Sequence, residues 1–346
     1  MERERREDRE TRLMEPLLLV SPVLSFAVTF ILTRKWIPIA HRAGIVGKDM
    51  NKPGRPEVAE MGGVPVFAGI ASGLMFYIAV NSFALNQRTL NLPLFAALST
   101  ILMATTVGMI DDSLGWKIGL KQWHKPLLTI PAAVPMMVAG VGFPIISLPF
   151  IGTIDLGILY PLLVIPIGIV GASNGFNMLA GYNGLEAGMG VVILSAMSLY
   201  AYAMGNSWVT MIGVSTIAAL LAFLYFNWYP AKAFPGNTLT YMVGAIMACI
   251  AILGNMEKLA IILFTPYYMD FIFGSRGRMK VEAFGKVNED GTLDKPYYKI
   301  CDVAHLFIVI IKRLKGKVYE KDVTVGIILF EVCIASIAML VFMPIW

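Results

Sequence analysis

The chain has 346 residues, of which 57% are hydrophobic and only 15% are charged, and its formal net charge is +5. Soluble proteins average about 45–50% apolar and about 25% charged residues, so this composition excludes an ordinary soluble domain. Three cysteines and three histidines without paired spacing also exclude a disulfide framework and a zinc-binding motif.

The apolar residues fall into ten segments, most of them close to the roughly 20 residues that a helix needs to cross a hydrocarbon core of about 30 Å. The predicted spans cover residues 16–34, 61–80, 93–110, 126–143, 159–174, 186–204, 209–227, 239–254, 258–274 and 323–346. The fifth and eighth are short or rich in glycine. We predict an all-α polytopic integral membrane protein with about ten transmembrane helices.

These spans divide the chain into four regions. Residues 1–15 form a charged tail, 16–274 a membrane domain with spans 1–9, 275–322 a long polar loop, and 323–346 span 10. An even number of spans puts both termini on one side. Of the 28 Lys and Arg residues, 7 then lie on the terminus side and 21 on the opposite side. The positive-inside rule therefore predicts cytosolic odd-numbered loops and termini that are outside or lumenal.

Span 3 ends in two adjacent carboxylates, Asp111 and Asp112, at the predicted cytosolic face. Like charges this close disfavour double ionisation unless a cation neutralises them. Mg²⁺ prefers oxygen ligands together with phosphate partners, and it would stabilise such a pair. The alternative is that the carboxylates only end the span in water, and these two residues alone do not decide between the two interpretations.

The next loop on that face, within 173–190, is rich in amides and glycines and has almost no net charge. Asn174 and Asn177 share one face of a helix end, and Asn183 and Glu186 follow them. Amides both donate and accept hydrogen bonds, and glycine lets a ligand approach the backbone. As an alternative to ligand binding, turn and helix-cap chemistry also explains Asn183 and Glu186, but it explains Asn174 poorly.

The loop before span 8 contains the run Phe234-Pro235-Gly236-Asn237-Thr238. An asparagine at a helix start is typical of an N-cap, which contributes about 1 kcal/mol. The same helix N-terminus could also bind an anion.

The long loop between spans 9 and 10, called loop 9/10, is predicted to contain a cytosolic hairpin. Two stretches of alternating apolar and polar residues, 279–287 and 292–299, flank the turn sequence 288–291. Residues 300–318 predict an amphipathic helix with its apolar face in the membrane interface. Its basic residues are expected to contact lipid phosphate; they are Lys312, Arg313, Lys315 and Lys317. Arg276 and Arg278, at the start of the loop, are a candidate pair for phosphate recognition.

Four blocks together resemble the polyprenyl-phosphate N-acetylhexosamine-1-phosphate transferases over roughly residues 45 to 320. The blocks are Asp111-Asp112 with Gly115, the pair His124-Lys125, Asn174/Asn177/Asn183-Gly184, and the Phe-Pro-Gly-Asn-Thr run. The run 177–188 is similar to the signature of the branch that makes GlcNAc-diphosphodolichol for N-glycosylation, and Ser275-Arg276-Gly277-Arg278 stands where that branch has an Arg-x-Arg loop. The His-His-x-x-Glu-type motif of the bacterial phospho-MurNAc-pentapeptide transferases does not occur in this loop.

The resemblance implies ten spans, a cytosolic active site and transfer of GlcNAc-1-phosphate from UDP-GlcNAc to a polyprenyl or dolichyl phosphate with release of UMP. In-line phosphoryl transfer requires mainly positioning and charge neutralisation. By the match, Asp112 would be a Mg²⁺ ligand, with Mn²⁺ as a substitute, and Asp111 would contact or activate the acceptor phosphate. Lys125 would bind phosphate and Asn183 would lie at the nucleotide.

The same match assigns further residues to the substrates. Arg276 and Arg278 would hold the donor pyrophosphate and sugar. The other candidate substrate-binding residues are Lys52, Asn174, Asn177 and Glu186, and Asn177 is also a candidate metal ligand.

One position departs from the family pattern. Where the family has Gly-Asp before span 8, with the Asp a metal ligand, this chain has Gly236-Asn237. An amide oxygen can coordinate Mg²⁺ but lacks the negative charge that holds a hard cation. We therefore expect a weakened metal site and a lower rate.

Three alternatives stay open at this point. The chain could use another UDP-N-acetylhexosamine, it could be a catalytically silent lipid-binding scaffold, or it could be a transporter, although a transporter predicts internal repeats and polar residues at span centres. No nucleic-acid partner is expected, and a homodimer is compatible with the sequence. An archaeal plasma membrane is preferred over an endoplasmic reticulum membrane as the location.

Overall fold

The structure is a computed structural model that describes residues 2–85, 87–115, 124–148, 152–279 and 281–343. Most of these residues are helical. The helices are α1 (Glu2–Ala43), α2 (Gly63–Ala79), α3 (Asn91–Ser113), α4 (His124–Thr129), α5 (Val134–Val138), α6 (Ile165–Phe176), α7 (Leu185–Ala203), α8 (Ser207–Asn227), α9 (Gly236–Leu253), α10 (Glu257–Leu263), α11 (Thr265–Arg276), α12 (Val303–Lys315) and α13 (Glu320–Phe342). Short π or 3₁₀ turns extend α2 at Val80–Ala84, join α4 to α5 at Ile130–Ala133, and precede α6 at Tyr160–Val164.

Each predicted span is mainly helical where the structure describes it, and the predicted all-α polytopic membrane fold is confirmed. Seven helices of the described chain are long and apolar enough to cross a membrane. They are Leu19–Ala43, Gly63–Ala84, Asn91–Ser113, Leu185–Ala203, Ser207–Asn227, Gly236–Leu253 and Glu320–Phe342, and Tyr160–Phe176 is a shorter apolar helix. The count of ten stays a prediction.

Prolines account for part of the difference between seven and ten. The fourth predicted span contains Pro126, Pro131 and Pro135, and it forms three short helical pieces. The ninth is divided between α10 and α11, with Pro266 in the first turn of α11. Proline lacks the N–H that a continuous helix needs, so it favours the start of a new helix.

The predicted hairpin in loop 9/10 is confirmed, but its strands are shorter than predicted. Strands β5 (Lys286–Val287) and β6 (Leu293–Asp294) pair antiparallel. The predicted amphipathic helix is α12. Two further hairpins were not predicted: β1 (Val46–Lys48) with β2 (Glu57–Ala59), and β3 (Ile145–Leu148) with β4 (Gly152–Asp155).

Helix α9 lies at the centre of the bundle. Every residue from Thr238 to Leu253 is buried, and α9 packs against α2, α3, α6 and α8. By contrast, only 22% of the apolar windows of α1 and α13 is buried, against 89% for α9. The N-terminus of α9 is therefore held by protein on several sides rather than exposed to lipid.

Helices α1 and α2 approach closely because hydroxyl residues on one helix face glycines on the other. Ser21, Ser25 and Thr29 are fully buried. A Cβ at Gly69 would overlap the Thr29 hydroxyl and lie 2.6 Å from the Ser25 carbonyl oxygen. A Cβ at Gly73 would lie 2.6 Å from the Ser21 carbonyl oxygen. Small residues at such interfaces allow backbone-to-backbone packing of membrane helices.

Replacing Gly69 with Ala should therefore destabilise the α1–α2 pair by about 1–3 kcal/mol, the usual range for overpacking. The thermal midpoint of the detergent-purified protein measures this loss. Gly171→Ala in α6 is the matched control, because no atom lies within 4 Å of its added Cβ. Equal midpoints for the two variants would contradict the close α1–α2 packing.

Two buried carboxylates hold the start of α12. Asp302 caps this helix by accepting a hydrogen bond from the Ala304 amide at 2.7 Å. Asp270 accepts one from the Val303 amide at 2.9 Å. Burial, and then the neighbouring Asp270 carboxylate, raise the pKa of Asp302 well above its ordinary value.

This raised pKa predicts a pH-dependent loss of stability. Between the ordinary Asp pKa of about 3.9 and the raised native pKa, the folded state retains a proton that the unfolded state has lost, so stability falls as pH rises. Asp302→Asn keeps a capping oxygen and removes this ionisation. We expect its thermal midpoint to match the parent at pH 4 and to exceed it at pH 8. Parallel midpoint–pH curves would refute this prediction.

Candidate active site

Two glycines allow the end of α3 to meet the start of α9. A Cβ at Gly108 would lie 2.6 Å from Thr238 Cα. Gly236 has a φ of +68°, and a Cβ there would contact the Asp112 carboxylate, 3.0 Å from its Cγ. Glycine tolerates this left-handed backbone and this close approach. The sequence run Gly236-Asn237 is therefore placed directly against Asp112.

Asp112 caps α9 from a different helix. Its Oδ1 accepts a hydrogen bond from the Asn237 amide at 2.7 Å. Its Oδ2 accepts from the Thr238 amide at 2.9 Å and from the Thr238 hydroxyl at 2.6 Å. A carboxylate at a helix N-terminus satisfies otherwise unpaired N–H groups and interacts favourably with the helix dipole. Asn237, expected as an N-cap, lies in the first turn instead, and the capping group comes from α3.

Asp111 is 3% exposed and brings two other predicted site residues together. Its Oδ2 forms an ion pair with Lys125 Nζ at 2.8 Å and accepts a hydrogen bond from Asn237 Nδ2 at 2.7 Å. Asp111, Asp112, Lys125 and Asn237 thus form one polar cluster. We call these four residues the acidic cluster.

The acidic cluster offers oxygen ligands to a cation, but few of them. Two carboxylates and the Asn237 amide oxygen are its donors, and no group of three His, Cys, Asp or Glu residues suited to a metal occurs in the described part of the chain. Mg²⁺ commonly binds through one or two carboxylates together with substrate phosphates and water. The donor set therefore fits a cation that shares its coordination with substrate phosphate.

Asn177 lies beside the acidic cluster, whereas Asn174 is turned towards α4. Thr240, one turn along α9, donates its hydroxyl hydrogen to Asn177 Oδ1 at 2.7 Å. Asn174 Nδ2 donates to Thr129 Oγ1 at 2.9 Å and to the Val170 carbonyl at 2.8 Å. The two amides share a helix end, but only Asn177 is linked to α9.

Asn183 is 3% exposed and joins three distant segments. Its backbone N–H donates to Glu320 Oε1 at 2.8 Å, its Nδ2 donates to Asp49 Oδ2 at 3.1 Å, and its Oδ1 accepts from the Ala231 amide at 2.8 Å. Lys52 donates to the same Oδ1. Among the described residues, one side-chain N–H of Asn183 has no partner.

Lys52 lies within this group of charges rather than in open solvent. Its ammonium pairs with Asp49, lies 3.3 Å from Glu320 Oε2 and stands 4.7 Å from the centre of the Tyr229 ring. Glu186, also buried, accepts a hydrogen bond from the Gly181 amide at 2.8 Å. The interactions of Glu186 match the helix-start interpretation of that residue.

Arg276 and Arg278 lie at the end of α11 and are both exposed. The Arg276 guanidinium stands 5.0 Å from the centre of the Phe273 ring. Arg278 has a φ of +55°. No ion pair of either arginine occurs among the described residues, and the structure does not bring them into contact with the acidic cluster.

The sequence analysis missed several residues of this region. Thr238 and Thr240 bind the predicted site residues, and Asp49 and Glu320 bind Asn183. Glu60 belongs to the same region: burial, and then the charge of Asp112, raise the pKa of its carboxyl. Thr238 could have been found from its position at a helix start. The others carry no local signal.

Backbone pairing brings the Glu60 segment to the start of α9. The Phe234 amide donates to the Ala59 carbonyl at 2.7 Å, and the Gly62 amide donates to the Phe234 carbonyl at 2.9 Å. The Gly63 amide donates to the Pro235 carbonyl at 3.0 Å. These bonds fix residues 59–63, which lead into α2, against residues 234–235, just before α9, beside the acidic cluster.

Comparisons with known proteins find a matching family profile and several relatives. Residues 94–255 match the sequence profile of glycosyl transferase family 4. A Saccharolobus solfataricus protein with the provisional name UDP-N-acetylglucosamine–dolichyl-phosphate N-acetylglucosaminephosphotransferase is 38% identical over 290 residues, which cover 82% of this chain and 87% of the relative.

Two more distant relatives extend the comparison. A Dictyostelium discoideum protein named UDP-N-acetylglucosamine–dolichyl-phosphate N-acetylglucosaminephosphotransferase is 28% identical and is aligned over 70% of this chain and 69% of its own length. A phospho-N-acetylmuramoyl-pentapeptide-transferase of Halalkalibacterium halodurans is 30% identical and is aligned over 72% and 79%.

Proposed function

Because the chain belongs to glycosyl transferase family 4, we propose that it transfers GlcNAc-1-phosphate from UDP-GlcNAc to a polyprenyl phosphate of the dolichyl type. The products are GlcNAc-diphospho-polyprenol and UMP, and the reaction is the first step of lipid-linked oligosaccharide assembly. The names of the archaeal and Dictyostelium relatives support the donor and the acceptor.

One observation of the structure carries this proposal. Two carboxylates, a lysine and a helix N-terminus converge at the start of the buried helix α9. Phosphoryl transfer needs charge neutralisation and positioning more than covalent chemistry. Lys125 and the backbone N–H groups of α9 supply positive charge, and the carboxylates supply cation ligands.

The proposed roles follow from the contacts. Asp112, held by three hydrogen bonds from α9, is the primary cation ligand, with the amide oxygens of Asn237 and Asn177 as weaker donors. Mg²⁺, or Mn²⁺ in its place, would neutralise the pyrophosphate of the donor. Asp111 orients Lys125 and contacts the acceptor phosphate. That phosphate is largely ionised at neutral pH, because its second pKa is about 6, so no strong base is required.

In this proposal the donor nucleotide lies at Asn183. The side-chain N–H of Asn183 that has no partner among the described residues can donate to a carbonyl oxygen. Lys52 acts through Asn183. Arg276 and Arg278, exposed and without an ion-pair partner among the described residues, extend towards the pyrophosphate and sugar when donor is bound. Asn174 and Glu186 shape the loop that runs from residue 174 to residue 186.

The chain is embedded in a membrane. The basic residues concentrate on the face that carries the acidic cluster, which supports a cytosolic active site with both termini outside or lumenal. We place the protein in an archaeal plasma membrane, since two relatives of 38% and 33% identity are archaeal, and its assembly as a homodimer is part of this proposal.

The test is UMP release by the purified protein with UDP-GlcNAc, a dolichyl phosphate and Mg²⁺. We expect UMP to form only when all three are present and EDTA to stop it. If UMP is released with UDP-GalNAc but not with UDP-GlcNAc, the donor is UDP-GalNAc and the proposed donor is wrong. No release with any UDP-sugar, with the fold intact, would favour a catalytically silent lipid-binding scaffold, which the amide at position 237 also favours.

A further inference from the structure

The last turns of α1 carry three basic residues on a helix rather than in a loop. The first predicted span ends at residue 34, but α1 continues to Ala43. Arg34, Lys35 and Arg42 therefore lie within 12 Å along one helix axis, at a rise of about 1.5 Å per residue. All three side chains are exposed.

These residues share their face with apolar side chains. Ile31 is 52% exposed and Ile39 is 44% exposed. A groove of about 550 Å³ is lined by Phe30, Ile31, Arg34, Lys35, Pro38, Ile39 and Arg42. We call this surface the α1 groove. It combines a strip of hydrocarbon with three cations at one end of a membrane helix.

The rotation of α1 is fixed, so the α1 groove points away from the protein. Thr29, Thr33 and Ala40, on the opposite side of the helix, are fully buried, and α1 packs against α2 and α8. Trp36 donates its indole hydrogen to the Glu60 carbonyl at 2.7 Å. The basic side chains cannot turn inwards without breaking these contacts.

The basic residues of the α1 groove have no counter-ion within the described chain, unlike Lys312, Lys315 and Lys317. No described carboxylate forms an ion pair with Arg34, Lys35 or Arg42. Four basic residues in α12 and just after it are expected to contact lipid phosphate. Three of them are paired instead, whereas Arg313 has no ion pair among the described residues. The pairs are Lys312 with Asp294, Lys315 with Asp322 at 2.8 Å, and Lys317 with Asp290 at 3.0 Å.

We propose that the α1 groove binds the headgroup phosphate of an anionic membrane phospholipid, with one of its hydrocarbon chains along Ile31 and Ile39. The span Leu19–Ala43 has 25 residues, more than the roughly 20 that the hydrocarbon core requires. Its basic end therefore extends into the headgroup region, where arginine and lysine attract phosphate. Arg34, Lys35 and Arg42, which have no ion pair within the described chain, form the proposed anionic-lipid site, rather than the paired residues Lys312, Lys315 and Lys317.

The test measures lipid selectivity by electron spin resonance. The full chain is reconstituted in phosphatidylcholine vesicles with spin-labelled phosphatidylglycerol or spin-labelled phosphatidylcholine, and the motionally restricted fraction of each is compared. We expect a preference of at least about threefold for phosphatidylglycerol, because arginine and lysine near the membrane surface attract anionic headgroups.

A matched pair of variants locates the site. In the first, Arg34, Lys35 and Arg42 are all replaced by Gln; in the second, Lys312, Lys315 and Lys317 are. Both remove three charges. We expect the first to lose the preference and the second to keep it. Loss in the second alone, equal loss in both, or loss in neither would overturn the proposal.

If the variant with Gln at all three α1 positions cannot be purified, the single variants Arg34→Gln and Arg42→Gln are measured instead. Each should lower the preference for phosphatidylglycerol about twofold, and Lys315→Gln should not. Unchanged selectivity in both single α1 variants would equally overturn the site. The measurement needs no turnover, so its result is independent of the proposed transferase activity.

Discussion

Replacing Asp112 with Asn should lower the rate of UMP release about 100- to 1,000-fold, the range found when one preorganised charge-stabilising group is removed from an active site. The substitution removes the negative charge that accepts the backbone hydrogen bonds of Asn237 and Thr238 at the start of α9. It also puts an amide NH₂ where one oxygen of Asp112 accepts hydrogen bonds. Cation binding and the alignment of α9 are both weakened. UMP release at saturating donor and acceptor measures the effect.

The control for this prediction is Asp155→Asn. Asp155 is an exposed carboxylate of the β3–β4 hairpin that accepts a hydrogen bond from the Gly157 amide. Among the described residues it makes no hydrogen bond or ion pair with the acidic cluster, and its replacement should leave the rate unchanged. The thermal midpoint of the Asp112 variant, compared with that of the parent, separates lost chemistry from lost folding. A rate within threefold of the parent would remove Asp112 from the mechanism.

Replacing Asn237 with Asp should raise activity about tenfold at limiting Mg²⁺, because a third carboxylate holds a hard cation better than an amide does. The same change should destabilise the protein without the cation. Asn237 Nδ2 now donates to Asp111 Oδ2 at 2.7 Å, and an aspartate would replace this hydrogen bond with a like-charge contact. The added carboxylate is thus expected to raise activity at limiting Mg²⁺ and to lower stability without the cation.

Two measurements check this prediction. The first is the dependence of UMP release on Mg²⁺ concentration. The second is the thermal midpoint with EDTA and with Mg²⁺, since a ligand stabilises a protein in proportion to the logarithm of its concentration over Kd. Asn174→Asp is the control, because its amide binds Thr129 and Val170 outside the acidic cluster. Equal activity of parent and Asn237→Asp at every Mg²⁺ concentration would contradict the weakened-metal hypothesis.

The candidate residues could be predicted from the sequence where they carry a local signal. Asp111 and Asp112 are conspicuous because charges at the end of an apolar helix are costly. The amide-rich run around Asn183 stands out by composition, and Gly236-Asn237 by its position at a helix start. The hairpin of loop 9/10 follows from its turn sequence, which is local chemistry too.

The contacts between these residues could not be predicted in the same way. Asp112 caps α9 from 125 positions earlier in the chain, and Glu320 binds the Asn183 amide from 137 positions later. Neither pairing leaves a periodicity or spacing in the sequence. Only the packing of α3 against α9, and of α13 against α7, decides which carboxylate reaches which amide.

The sequence by itself determined the membrane character, the helical class and the residue types of the active site, because hydropathy and composition are properties of consecutive residues. The tertiary structure decided which charges are free. It paired Lys312, Lys315 and Lys317 with carboxylates and left Arg34, Lys35 and Arg42 without an ion pair within the described chain. The physical reason is that a charge acts through its neighbours in space, and folding chooses those neighbours.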